Sequence, residues 1–163
     1  MKSIYLIFIL LLSPLSFALE ADKNEPLHIN ADHVFLNHKT GINTYEGRVK
    51  LIQGTSELTA DTISVNLDSN NQLKKIIAKG SPARYRTLFA KTKPEIIATA
   101  NIMEYHPQEN TLLLIDNAKI VEGKNSFEGS RIEYNIQQKT VISATANQGQ
   151  IRIILQPQEK PHE

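Results

Sequence analysis

One short pattern recurs four times along this chain, and it constrains the fold more than any single motif does. Its core is an apolar residue, any residue, Ala or Gly, then Asp, Asn or Ser, any residue, and two apolar residues spaced by one. It appears as Ile29-Ala31-Asp32-Val34-Leu36, Leu58-Ala60-Asp61-Ile63-Val65, Ala98-Ala100-Asn101-Met103-Tyr105 and Phe127-Gly129-Ser130-Ile132-Tyr134. The small residues stand at 31, 60, 100 and 129, so the spacings are 29, 40 and 29. Self-similarity of this kind marks one supersecondary unit stacked on itself. A surface insertion accounts for the 11 extra residues of the middle spacing.

Within each unit apolar residues alternate with polar ones, as Leu27, Ile29 and Ala31 do with His28, Asn30 and Asp32. That two-residue period belongs to a half-buried strand, and the abundance of Val, Ile, Thr and Tyr suits a pleated surface. The step from Ala31 to Val34 shifts the phase by one residue. A slip normally sends every later side chain to the wrong face. Because it recurs in all four units, it predicts a bulge or sharp bend at the small residue. Asp32, Asp61, Asn101 and Ser130 are then expected to cap the bend through the backbone.

Each bend leads to a polar turn and a second strand. The turns are Asn37 to Gly41, Asp68 to Asn71, Pro107 to Asn110 and Gln137 to Lys139. The units therefore read as four bent β-hairpins, each with one apolar face that it must bury against its neighbours. The return strand Leu112-Leu113-Leu114-Ile115 reads as buried on both sides or set against a partner. Lys79-Gly80-Ser81-Pro82-Ala83 reads as a turn that starts a new stretch, with Pro82 outside the ladder or at an edge. From Arg84 to Pro94 four positive charges and no negative ones form the insertion. Arg84, Arg86, Lys91 and Lys93 there suit a basic rim beside an apolar cavity, or a solvated loop. In the last strand Ile151, Ile153 and Leu155 face inward and Ile154 outward. That makes Ile151, Ile153 and Ile154 a candidate oligomer edge.

The N-terminus carries Lys2, an apolar run from Ile4 to Leu12 and the triplet Ser16-Phe17-Ala18. This is the pattern of a cleaved secretory signal over residues 1–18, and the run is shorter than the roughly 20 residues a spanning helix needs. A loose segment over 19–25, one domain over 26–157 and a disordered tail over 158–163 complete the organisation. Removal of Lys2 leaves 17 basic and 17 acidic residues, a balance that argues against nucleic acid as a partner. With no Cys, disulfides, thiol chemistry and lipoprotein anchoring are excluded. None of the five His residues has metal-ligand spacing. No phosphate loop, nucleophile elbow or Cys-His pair is present, so neither catalysis, a cofactor nor a metal is expected.

Pro26-Leu27-His28-Ile29-Asn30-Ala31-Asp32, Tyr45-Glu46-Gly47-Arg48-Val49 with Gln53-Gly54, Leu58-Thr59-Ala60-Asp61, Lys79-Gly80-Ser81-Pro82-Ala83 and Asp116-Asn117-Ala118 together resemble the LptA/OstA-like family of periplasmic lipopolysaccharide transport proteins. The likeness spans about Pro26 to Pro157, and the order and spacing of the motifs carry it. It implies an all-β fold, an open, V-shaped, twisted β-jellyroll of about sixteen antiparallel strands. It also implies end-to-end assembly into a periplasmic bridge between an LptC-like inner-membrane partner and an LptD-like outer-membrane partner of a Gram-negative envelope. Lipopolysaccharide would be the ligand, its acyl chains in the groove. Asp116 stands where the family often has Gly, and the tail after Pro157 is shorter and less basic than in many relatives.

The groove residues expected are Leu27, Ile29, Val34, Leu36, Tyr45, Val49, Leu58, Ile63, Val65, Tyr85, Met103, Tyr105, Ile132 and Tyr134. Burying several acyl chains at roughly 25 cal/mol per Å² would drive binding without chemistry. Two other readings are compatible with the same strands: an LptC-like membrane-tethered component of the pathway, and a structural β-solenoid that polymerises without lipid.

Overall fold

The computed structural model describes residues 25–88, 94–138, 140–143 and 150–157. The signal segment 1–18, residues 19–24 and the tail 158–163 lie outside the described residues. So do Lys91 and Lys93. The described chain forms β1 (His28–Asn30), β2 (His33–Asn37), β3 (Ile42–Gln53), β4 (Ser56–Leu67), β5 (Leu73–Thr87), β6 (Ile96–His106), β7 (Thr111–Glu122), β8 (Asn125–Asn135), β9 (Thr140–Ser143) and β10 (Arg152–Ile154). All pairings are antiparallel, in the order β1-β3-β4-β5-β6-β7-β8-β10, with β2 also on β3 and β9 also on β8. This is one open sheet folded across its own strands, an all-β jellyroll.

The fold line lies where the phase slip predicts a bend. Strands β3 to β8 each carry a register shift, at Glu46/Val49, Thr59/Thr62, Lys79/Ala83, Thr99/Ile102 and Ile115/Ala118. On the even-numbered strands the shift falls at the recurring small-polar pair: Ala60-Asp61, Ala100-Asn101 and Gly129-Ser130. Ala31 and Asp32 separate β1 from β2 at the same level. The neighbouring strands turn the corner by other means. Gly47 and Arg48 are both left-handed, with φ of 77° and 47°, and Asp116 and Asn117 likewise, at 61° and 54°. Asp and Asn tolerate that region better than most residues, which is how Asp116 serves at a position suited to Gly.

On β5 the corner is Gly80-Ser81-Pro82, with a cis Ser81-Pro82 peptide, and it pairs with neither neighbouring strand. The segment expected to be a turn is thus the corner of a continuing strand, because Pro82 needs no ladder partner where the ladder is already broken. The basic run correspondingly begins inside β5, whose last four residues are Arg84 to Thr87. The extra length of the middle spacing is shared by the two halves of that unit. Asp61 to Pro82 and Pro82 to Asn101 are 21 and 19 residues, whereas Asp32 to Arg48 and Arg48 to Asp61 are 16 and 13.

The corner polar residues do not cap backbone in the way expected. The Asp32 carboxylate takes the Arg48 guanidinium, and Ser130 Oγ is buried without a hydrogen-bond partner. The hairpin turns do use side-chain caps: Asn37 Oδ1 accepts from the Lys39 and Thr40 amides, and Asp68 Oδ1 from those of Asn70 and Gln72. At the opposite ends Gly54-Thr55 and Gly123-Lys124 make two-residue turns, with both glycines left-handed as tight hairpins favour.

Candidate functional site: the inward face

Directly opposed residues of antiparallel strands share a face, so the registers define rungs that cross the whole sheet. In the first leaf one rung runs Ile29, Leu51, Leu58, Tyr85, Ala98, Ile120, Phe127, Ile153. At the corner Val49, Ala60, Ala83, Ala100, Ala118 and Gly129 form a line of mostly small side chains that lets the leaves approach. In the second leaf the rungs are Val34, Tyr45, Ile63, Ala78, Met103, Leu114, Ile132, Ser143 and then Leu36, Asn43, Val65, Ile76, Tyr105, Leu112, Tyr134, Val141. All buried apolar residues belong to one cluster on this inward side.

Thirteen of the expected groove residues fall on these lines, and Leu27 precedes β1 at an exposed position. Val49, Leu58, Ile63, Val65, Met103, Ile132 and Tyr134 are buried, while Ile29, Tyr45, Tyr85 and Tyr105 are half-buried. Val34 and Leu36 are 50% and 57% exposed because, among the described residues, no strand lies beyond β2. Residues outside the expected groove set complete the face, chiefly Leu51, Ile76, Ala78, Ile96, Leu112, Leu114 and Ile120. They lie largely on the return strands β5 and β7, which lack the small-polar signature. The alternation of β7 could have found them. Only Leu112 and Leu114 of its apolar run are buried, since Leu113 and Ile115 alternate onto the outer face beside Glu104 and Ile102. The run therefore is not buried on both sides.

The outer face holds the charge. Lys50 pairs with Glu57 at 2.9 Å, Lys119 with Glu128 at 2.7 Å and Lys75 with Glu104 at 3.7 Å. The Lys50 hydrogen bond holds the Glu57 carboxyl below the usual carboxylate range, and Lys119 does the same for Glu128. Arg84 and Arg86 alternate with the inward Tyr85 and so stand on this outer side, with Arg86 Nη1 at 3.3 Å from Glu95 Oε1. Across the described inward rungs no Lys or Arg occurs. The polar groups there gather at the mouth, where Ser56 Oγ lies 3.2 Å from the Tyr85 hydroxyl and 2.9 Å from Thr87 Oγ1. Burial pushes the Tyr134 phenol up to about 12, with Glu122 and Tyr85 adding to it, and it raises Tyr105 as well.

Among the described residues both ends of the face are unfinished. At one edge β2 exposes Val34, Phe35 and Leu36; at the other Ile151, Ile153, Ile154 and Leu155 are exposed. Ile153 opposes Phe127 on the inward side and Ile154 opposes Ser126 on the outer side. Among the described residues no group of three or more His, Asp or Glu could hold a metal ion. The arrangement can hold apolar chains and offer strand edges.

Comparison with known proteins agrees with this architecture over nearly its whole length. The family described as LptA/(LptD N-terminal domain) LPS transport protein matches residues 28–140. The lipopolysaccharide export system protein LptH of Pseudomonas aeruginosa is 31% identical over 155 residues, covering 91% of this chain and 89% of that protein. The lipopolysaccharide export system protein LptA of Escherichia coli is 25% identical over 145 residues, covering 88% and 78%. The crystal structure of LptH, described as the LptA homologous periplasmic component of the conserved lipopolysaccharide transport device of Pseudomonas aeruginosa, is similar with a TM-score of 0.76 at 30% identity. That likeness covers 83% of this chain and 99% of LptH. This chain therefore belongs to the LptA/LptD N-terminal domain family, whose members are lipopolysaccharide transport proteins and not enzymes.

Proposed function

We propose that this chain works in the periplasm as a carrier in lipopolysaccharide export, holding the acyl chains against its inward face and standing end to end with further copies. The observation that carries this reading is the continuity of the apolar rungs from edge to edge, with their terminal members Val34, Leu36 and Ile153 left exposed. A second copy that adds its first strands to the last strands of the one before would cover those residues and prolong the groove. The same two edges suit an LptC-like partner at one end and an LptD-like partner at the other. Acyl chains leaving water supply the driving force, at roughly 25 cal/mol per Å² of apolar surface buried. Their charged heads stay with water outside.

Photo-crosslinking in living cells from a probe amino acid at Tyr105, followed by an immunoblot for lipopolysaccharide, tests the cargo and the groove together. An adduct is expected from Tyr105 and none from the outward Asn30, which pairs with Lys50. No adduct from any inward position of the folded, secreted protein would sink the lipid-carrying reading in favour of a structural solenoid.

A further inference from the structure

The inward face is not uniformly apolar. At its mouth Ser56, Tyr85 and Thr87 of the first leaf form a chain of hydroxyls, at 3.2 Å and 2.9 Å. Tyr105 and Tyr134 stand in the second leaf on the same rung, on either side of Leu112. The Tyr85 phenol lies close enough to both to act on them across the gap between the leaves. Among the described residues neither the Tyr105 nor the Tyr134 hydroxyl has a hydrogen-bond partner, and neither is shut off from the mouth. Two phenol donors are thus held at the boundary between an apolar interior and water.

We propose that this hydroxyl seam is a hydrogen-bonding subsite for the carbonyl oxygens that join acyl chains to the polar head of a lipid in the groove. The inference rests on the lipid-carrying reading above and adds what the lipid must present at the mouth. The ligand atom is a neutral acceptor for three reasons. Both phenols are protonated at neutral pH, as tyrosines ordinarily are, so they donate. Glu122, opposite the buried Ile96 on the inward side, is near enough to Tyr134 to act on it, and its carboxylate opposes a phosphate there. The described inward rungs also supply no cation to hold one. A carbonyl has the matching chemistry and the matching place, since in an acyl lipid it sits where chain meets head. With the carbonyl at Tyr105 or Tyr134, the chain behind it runs along Leu112 and Ile76, and the head stays outside.

The test uses the purified mature chain and two ligands, lipopolysaccharide and the carbonyl-free hydrocarbon probe diphenylhexatriene. Tyr105→Phe with Tyr134→Phe removes only the hydroxyls. The expected result is a rise of about three- to tenfold in the Kd for lipopolysaccharide, the range a net hydrogen bond or two supports, with hydrocarbon binding and Tm unchanged. Each single Phe variant gives a part of that rise and decides the matter if the double variant does not fold. Unchanged lipopolysaccharide affinity overturns the subsite and leaves the carrier reading standing. Equal loss for both ligands also overturns it, since the phenols would then only shape the groove. Wild-type protein that takes the hydrocarbon but not lipopolysaccharide, or neither, removes the carrier reading and the subsite with it.

Discussion

The Arg48 guanidinium clasps the Asp32 carboxylate across the corner between the first strands, with Nη2 2.7 Å from Oδ1 and Nε 3.1 Å from Oδ2. The Asp32 amide meanwhile donates to the Glu46 and Gly47 carbonyls at 3.0 Å. One residue thus ties the break between β1 and β2 to the bulge of β3, at the exposed sheet edge. The pair is exposed, so its effect on overall stability is small; its effect is on edge order. The Arg48 hydrogen bond holds the Asp32 carboxyl below its usual range. A depressed acid contributes above its unfolded value and loses that contribution as pH falls through the folded one. Hydrogen exchange over 28–37 is therefore expected to quicken in Arg48→Ala at neutral pH while Tm barely moves. The wild-type edge should loosen only below the ordinary carboxylate range. Equal exchange in variant and wild type would show that the clasp orders nothing.

Glycine matters most where backbone blocks a side chain. A Cβ on Gly80 would lie 2.7 Å from the Ala83 nitrogen, inside the β5 corner, and neither atom can swing away. Gly54→Ala costs about 1 kcal/mol for its left-handed φ. Gly80→Ala should cost more, about 1–3 kcal/mol, and urea unfolding of the two variants ranks them. A milder Gly80→Ala would mean that the corner yields.

Leu113 and Leu114 separate the two faces within one dipeptide. Leu114 is fully buried on the inward side, and Leu113 is half-buried outside. Leu114→Ala should cost about 2–5 kcal/mol through the cavity it leaves, and Leu113→Ala about 1 kcal/mol or less. Similar losses would show that the outer face is covered in solution.

If the exposed last strand joins copies, deleting Ile151 to Glu163 leaves a soluble monomer. Sedimentation of the truncated and full mature chains reads this directly, and persistent oligomers would place the contact elsewhere. Shortening the chain uncovers Phe127 on the inward side and Ser126 on the outer side of β8. A modest fall in Tm is therefore expected alongside.

Much of this molecule was legible before any coordinates. The two-residue alternation of Ile29, Leu58 and Ile63 marks strands because side chains of a pleated chain face opposite ways. The phase slip at Asp32, Asp61, Asn101 and Ser130 marks the corner, because only a bend returns later apolar residues to the same side. Both are local properties of the backbone, so they are written in the order of residues. Which strands lie side by side, and hence which residues share a rung, depends on contacts between positions far apart in sequence. Tyr85 meets Ser56 29 residues away, and Arg48 meets Asp32 16 residues away. Nothing in the spacing announces either contact. The return strands hide their part for the same reason: Gly47-Arg48, Gly80-Ser81-Pro82 and Asp116-Asn117 turn one corner with three different chemistries. The sequence by itself determined the strands, the corner and the apolar face. The tertiary structure alone decided where that face ends, which charges lie outside it and that its mouth is lined by hydroxyls, because burial and proximity exist only once the two leaves are folded together.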